Sequence, residues 1–128
     1  MTNLDFVGDP SLFPKAREEI QIEEITLVPY SDGRRVRVEM RLTPFIPADR
    51  PSLDITVQKD DGSVVVSTRV IETMQYAPAV TIHLQSDGSA QGIYTFRVDL
   101  FFGNKEVVQH SVSKVLALPA GDASGEAG

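Results

Sequence analysis

Two histidines, a row of three arginines and several paired carboxylates are the side chains in this sequence whose types and spacing could do chemistry. His83 and His110 invite a test for a shared metal ion or for acid–base work, because imidazole is a common ligand and titrates near neutrality. Arg35, Arg37 and Arg41 form the cationic concentration of the chain, with Glu39 in the middle of the row. Such a row suits either a salt-bridged sheet face or a small anion or acidic partner held by forked guanidinium contacts. Glu18-Glu19 and Glu23-Glu24 are adjacent pairs, and neighbours on an extended strand point to opposite faces, which is wrong for an acid and a base acting across one bond. Asp60-Asp61-Gly62 and Asp87-Gly88-Ser89 set carboxylates beside turn glycines, as calcium loops do, but without EF-hand ligand spacing; hairpin turns account for both. No Gly-x-Ser-x-Gly, phosphate loop or dinucleotide fingerprint occurs. The expectation is no catalytic residue, no metal site and no cofactor.

The 128 residues suffice for one domain with a real hydrophobic core. Cysteine is absent, which removes disulfides, thiolate metal ligands and a cysteine nucleophile, and tryptophan is absent too. A formal net charge of -6 and a pI near 4.8 disfavour a phosphate backbone as partner, so no nucleic acid is expected. No apolar run approaches the roughly 18 residues of a membrane helix, and residues 1–19 lack a signal-peptide pattern, so the expectation is a soluble, unexported, cytoplasmic protein without a membrane partner.

The elements that must position these groups are strands. After a loose arm over residues 1–19, with one helical turn following Pro14 and with Phe6, Leu12 and Phe13 docking it, apolar residues alternate. Ile20 and Ile22 take even positions and Ile25 and Leu27 odd ones, which predicts a one-residue bulge at Glu23-Glu24. Pro29 suits an edge strand. Val36, Val38, Met40 and Leu42 define the next strand, with the arginine row on its other face. Residues 43–51 hold Pro44, Pro47 and Pro51 and read as a crossing loop. Leu53, Ile55 and Val57 mark a third strand; residues 63–72 are rich in β-branched side chains without clean parity; 73–78 is a loop carrying Met74 and Tyr76. Val80, Ile82 and Leu84 restore alternation. Residues 92–102 then place Tyr94, Phe96, Val98 and Leu100 on one face, and 106–118 is the last strand. His83 and His110 fall on strands of different sheets. Residues 119–128 are small or acidic and form a flexible tail. Seven strands at this spacing predict an all-β, seven-stranded antiparallel sandwich over residues 20–118.

Gly92-Ile93-Tyr94-Thr95-Phe96 resembles the start of strand F in immunoglobulin-like and fibronectin type III-like sandwiches, and the looser likeness is to bacterial immunoglobulin-like modules in general. The resemblance implies that Tyr94, with Gly92 before it, is a corner tyrosine bonding back toward Asp87 to Ser89. It places Phe96 where antibody domains hold the second core cysteine, Val38 or Met40 at the first, and Ile55 at the tryptophan position.

Apolar residues exceed what a sandwich interior needs. Val64, Val65 and Val66 leave at least one valine facing out, Phe101 and Phe102 cannot both face in, and Phe45-Ile46, Met74 and Tyr76 sit in loops. Surplus apolar surface beside an edge strand marks association. The sequence therefore reads as a non-catalytic interaction or structural module, docking a protein partner or a second copy as a homodimer through the 63–71 edge and the 73–78 loop. The other reading is a small-anion or carbohydrate-binding domain at the arginine row or the loop ends. For the corner assignment, Tyr94→Phe is expected to lose about 1–2 kcal/mol in urea unfolding, and a loss of only a few tenths would remove it.

Overall fold

The computed structural model describes residues 13–84, 92–104 and 106–118. The order of strands is β1 (Ile22–Pro29), β2 (Arg35–Leu42), β3 (Ser52–Lys59), β4 (Val64–Val70), β5 (Ala79–His83), β6 (Gly92–Phe101) and β7 (Val108–Leu118), with 3₁₀ turns at Arg17–Glu19 and Pro47–Asp49. They form two antiparallel sheets, β1-β2-β5 and β4-β3-β6-β7. The architecture is an all-β, seven-stranded immunoglobulin-like sandwich. In an antibody constant domain the strand after the third joins the first sheet. Here the tight turn at 60–63 folds β4 back as a hairpin onto β3, where Leu53 faces Val70 and Val57 faces Val66.

The alternation read from β2 and β6 is the pattern of the core. Val36, Val38, Met40 and Leu42 from one sheet meet Leu53, Ile55, Val57, Phe96, Val98 and Leu100 from the other, all buried. Each such side chain contributes about 1.5–3 kcal/mol when taken from water. Phe96, at the chain centre of β6, is fully buried with Val57 on one flank and Lys114 on the other. Residues 13–19 carry their one 3₁₀ turn without buried side chains, and Ile20 just after it is buried completely.

Two irregularities explain where parity fails. Register shifts by one residue between Ile22 and Glu24, the bulge that the change of apolar parity demands. A second shift lies between Val57 and Gln58, opposite the start of β4. It lets both Val65 and Val66 pack against the core while Val64 stays 56% exposed, which is why residues 63–72 show no clean alternation.

The sandwich is closed along one side by side chains rather than by a strand pair. On β7, the Gln109 amide donates to the Arg17 and Ile20 carbonyls at 2.9 Å each, and the Lys114 ammonium donates to the Ile25 carbonyl at 2.9 Å. Between them the Ile22 N–H, next to the bulge, donates to His110 Nδ1 at 3.0 Å. His110 is thus a strap between the sheets, whereas His83 is exposed on β5 in the other sheet. The residues proposed to receive Tyr94, 87–89, lie outside the described residues; Tyr94 itself is buried, and burial raises its phenol pKa. Replacing His110 by alanine leaves the Ile22 N–H without its acceptor and is expected to lower stability by about 1–2 kcal/mol in chemical denaturation, against less than about 0.5 kcal/mol for His83→Ala.

Candidate interaction site

The arginine row lies on the outer face of β2, and each of its members is engaged. Arg35 Nε meets Asp32 Oδ2 at 2.7 Å and stacks over the Tyr30 ring at 4.3 Å. Arg37 Nε meets Glu39 Oε2 at 2.9 Å. Arg41 Nη1 meets Glu24 Oε1 at 2.6 Å, with Glu23 Oε1 at 3.5 Å from its Nε. Four carboxylates therefore answer three guanidiniums. These pairs are solvated and individually contribute little to stability. Backbone N–H groups of Arg34 and Arg35, with the Arg35 guanidinium, hold the Asp32 carboxyl below its ordinary pKa of 3.8. A depressed carboxyl stabilises the fold above its ordinary pKa and loses that contribution as pH falls through the lowered one, so the 30–35 turn is expected to loosen only in acid.

The apolar surplus divides. Phe101 is only 2% exposed, because a register shift of β6 against β7, between Leu100 and Phe101, ends the alternation there and the Arg69 guanidinium covers its ring at 5.7 Å. Phe102 packs against the core with the Arg17 guanidinium 4.8 Å above its ring. The expectation that both belong to an exposed apolar surface is corrected for Phe101, which is buried, while Phe102 is half-buried. Val65 and Val66 are half-buried. Exposure remains at Val64 and, at the far end of β4, at Ile71, Met74, Tyr76 and Ile46. Val64 and Val70 are six residues apart on β4, or about 20 Å at 3.3 Å per residue, so the surplus is not one patch.

The end carrying Met74 and Tyr76 is an organised site. The 43–51 crossing is anchored where Thr43 N–H donates to the Gln21 carbonyl at 3.0 Å and Lys15 N–H to the Pro44 carbonyl at 2.9 Å. Residues 71–78 lie against it. Thr73 N–H donates to the Pro51 carbonyl at 2.9 Å, Glu72 N–H to Ser52 Oγ at 3.0 Å, and Leu42 N–H to the Tyr76 carbonyl at 2.7 Å. Those bonds hold Glu72 at φ 47°, among the described residues the one non-glycine in the left-handed region. Tyr76 meets Phe45 edge to face, centroids 4.9 Å apart, and its hydroxyl donates to the Phe45 carbonyl at 2.8 Å. Phe45, Pro47, Arg50, Met74 and Tyr76 enclose a cleft of about 160 Å³. Met74 stands 81% exposed at its rim.

A polar cavity of about 410 Å³ adjoins it, lined by Arg17, Ala48, Arg50, Glu72, Phe102 and Gly103. Arg17 and Arg50 are two guanidiniums that sequence reading did not bring together. One stands in the arm and the other in a proline-rich loop, and no spacing rule links them. They meet because the Lys15–Pro44 backbone bond lays the arm beside the crossing loop, where Arg17 Nη2 reaches Asp49 Oδ1 at 3.0 Å.

Tyr76→Phe is expected to lose about 1 kcal/mol, since the Phe45 carbonyl forfeits its donor, while Met74→Ala changes unfolding free energy by less than about 0.5 kcal/mol. Chemical denaturation of the two variants distinguishes a structural tyrosine from a methionine the fold does not need.

No family model matches the chain, and no curated protein matches it. Among solved structures it is similar to a family 76 glycoside hydrolase from a bovine Bacteroides thetaiotaomicron strain, with TM-score 0.60 and 13% identity over 77% of this chain and 20% of that one. A Bifidobacterium dentium beta-glucuronidase complexed with coumarin-3-O-glucuronide gives TM-score 0.57 and 12% identity over 77% of this chain and 18% of that one. The chicken interferon gamma receptor alpha chain gives TM-score 0.57 and 14% identity over 77% of this chain and 51% of that one. The chain thus spans between 18% and 51% of the length of these structures. At such identities the likeness is one of fold: sandwich domains in proteins of different activity share this architecture.

Proposed function

We propose that this domain is a non-catalytic interaction module that docks a protein surface, a second copy of the chain or another protein, through the Phe45–Met74–Tyr76 end of the sandwich. The observation that carries the reading is the exposed methionine at the rim of a cleft whose walls are fastened by backbone and tyrosine hydrogen bonds. A side chain the fold does not need, displayed on a rigid frame, is the arrangement of a contact surface. Methionine adapts to irregular partners, and aromatic neighbours supply area at little entropic cost. The free edge of β4 runs away from the same end, in reach of a partner strand. The likeness of fold to immunoglobulin-like and fibronectin type III-like sandwiches is compatible with this reading, since such sandwiches serve as interaction domains among other roles.

A second reading, a small-anion or carbohydrate-binding domain, is favoured by the polar cavity between Arg17 and Arg50, and similar domains occur within glycoside hydrolases. The arginine row is the weaker place for such a ligand, its guanidiniums being already paired.

Light scattering across a concentration series tests self-docking. The expected result is a rise of mass with concentration that Met74→Glu weakens by roughly tenfold or more without lowering the melting temperature. A rise that survives Met74→Glu places the contact elsewhere. A chain monomeric throughout excludes a second copy and leaves a different protein as partner.

A further inference from the structure

The apolar cleft and the polar cavity share a wall. Pro47 and Arg50 line both, so the Arg50 side chain stands between the Phe45, Met74 and Tyr76 half and the Arg17, Glu72 and Phe102 half. Its Nε–H is buried and has no hydrogen-bond partner among the described residues. Its Nη2 lies 3.5 Å from Glu72 Oε1, beyond a good hydrogen bond. Arg17 is differently placed. Its Nε donates to Asp49 Oδ1 at 3.1 Å and its Nη2 to the Ala48 carbonyl at 3.3 Å, while its plane lies over Phe102. Of the two guanidiniums one is in use, and the other has a buried Nε–H without an acceptor and an Nη2 without a good one. Asp49 and Glu72 offset the two cations, so bulk charge does not draw an anion in. Selection rests on an under-paired guanidinium beside an apolar wall, because such donors are rarely left without an acceptor and a carboxylate is the strongest one available to them.

We propose that the composite groove binds an extended peptide segment of another protein that carries an aliphatic side chain with a carboxylate one or two residues away. The aliphatic group enters the Phe45–Met74–Tyr76 cleft. The carboxylate takes the Nη2 end of the Arg50 guanidinium in place of Glu72, which is exposed and free to turn outward. This inference rests on the docking reading above and names the chemistry of its partner.

The test is an NMR titration of the full chain with N-acetyl-Leu-Asp-amide and N-acetyl-Leu-Asn-amide, following the Met74 methyl and the Arg50 Nε–H. Saturable shifts of both signals with the aspartyl peptide, roughly tenfold weaker with the asparaginyl one and lost in Arg50→Gln, are expected. Equal Met74 shifts with both peptides and a still Arg50 overturn carboxylate recognition and leave the docking reading standing. No response at Met74 from either peptide counts against both. Sodium acetate moving Arg50 as far as the aspartyl peptide does assigns the cavity to a free carboxylate and overturns the peptide. Binding seen only after residues 1–12 are removed assigns the groove to the chain's own arm and overturns an external partner.

Discussion

Burial of the inner face of β6 is the constraint on which the rest of the molecule depends. Tyr94, Phe96, Val98 and Leu100 stand at alternate positions of a strand that pairs with β3 on one side and β7 on the other, and all four are buried. Shifting any of these three strands by one residue would turn its apolar set to solvent and its charged set inward. For four side chains the penalty is about 6–12 kcal/mol, comparable with the whole stability of an ordinary domain, so the register of the four-stranded sheet is effectively unique. The smaller sheet is held to it by the same logic, through Val36, Val38, Met40 and Leu42 on β2.

Closing two sheets into a sandwich leaves open edges, and this chain treats them unequally. Along β1 the side chains of His110 and Lys114, with that of Gln109 acting just before the strand begins, supply hydrogen bonds that a neighbouring strand would have made, and Pro29 and the bulge make that edge a poor template. β4 carries neither proline nor lysine, and its arginine is turned sideways to Asp54 at 2.7 Å. The end where β4 passes into the 71–78 loop is also where the apolar cleft opens. Edge and cleft are contiguous there, so an unpaired backbone edge adjoins apolar side chains, the combination that strand-addition interfaces use.

Much of the architecture was legible because strands of this kind have a period of two. The bulge at Glu23-Glu24 followed from a change of parity in four isoleucine and leucine positions, and the structure has it between Ile22 and Glu24. Met74 and Tyr76 stood out as large apolar side chains in a loop, and they remain exposed. Phe101 and Phe102 show the limit. Alternation assigned one to each face, but it cannot foresee that Arg69 and Arg17, distant in sequence, lie over their rings. The histidines show the same limit: parity placed His110 on a strand face, but not as the acceptor for a backbone N–H of β1, 88 residues away.

The sequence by itself determined which faces are apolar, how many strands alternate, where prolines and glycines interrupt them, and that cysteine chemistry is absent. All of these are local properties, decided within a few residues by side-chain period and backbone freedom. Only the tertiary structure decided that β4 joins β3's sheet, that the arginine row is already paired, and that Arg17 and Arg50 converge around a cavity beside Phe45 and Tyr76. Those outcomes depend on backbone hydrogen bonds between segments some thirty residues apart, such as Lys15 to Pro44, and on loops whose prolines and polar groups carry no periodic signal. Contacts of that kind are selected by the packing of the whole domain, and no local pattern of residue types encodes them.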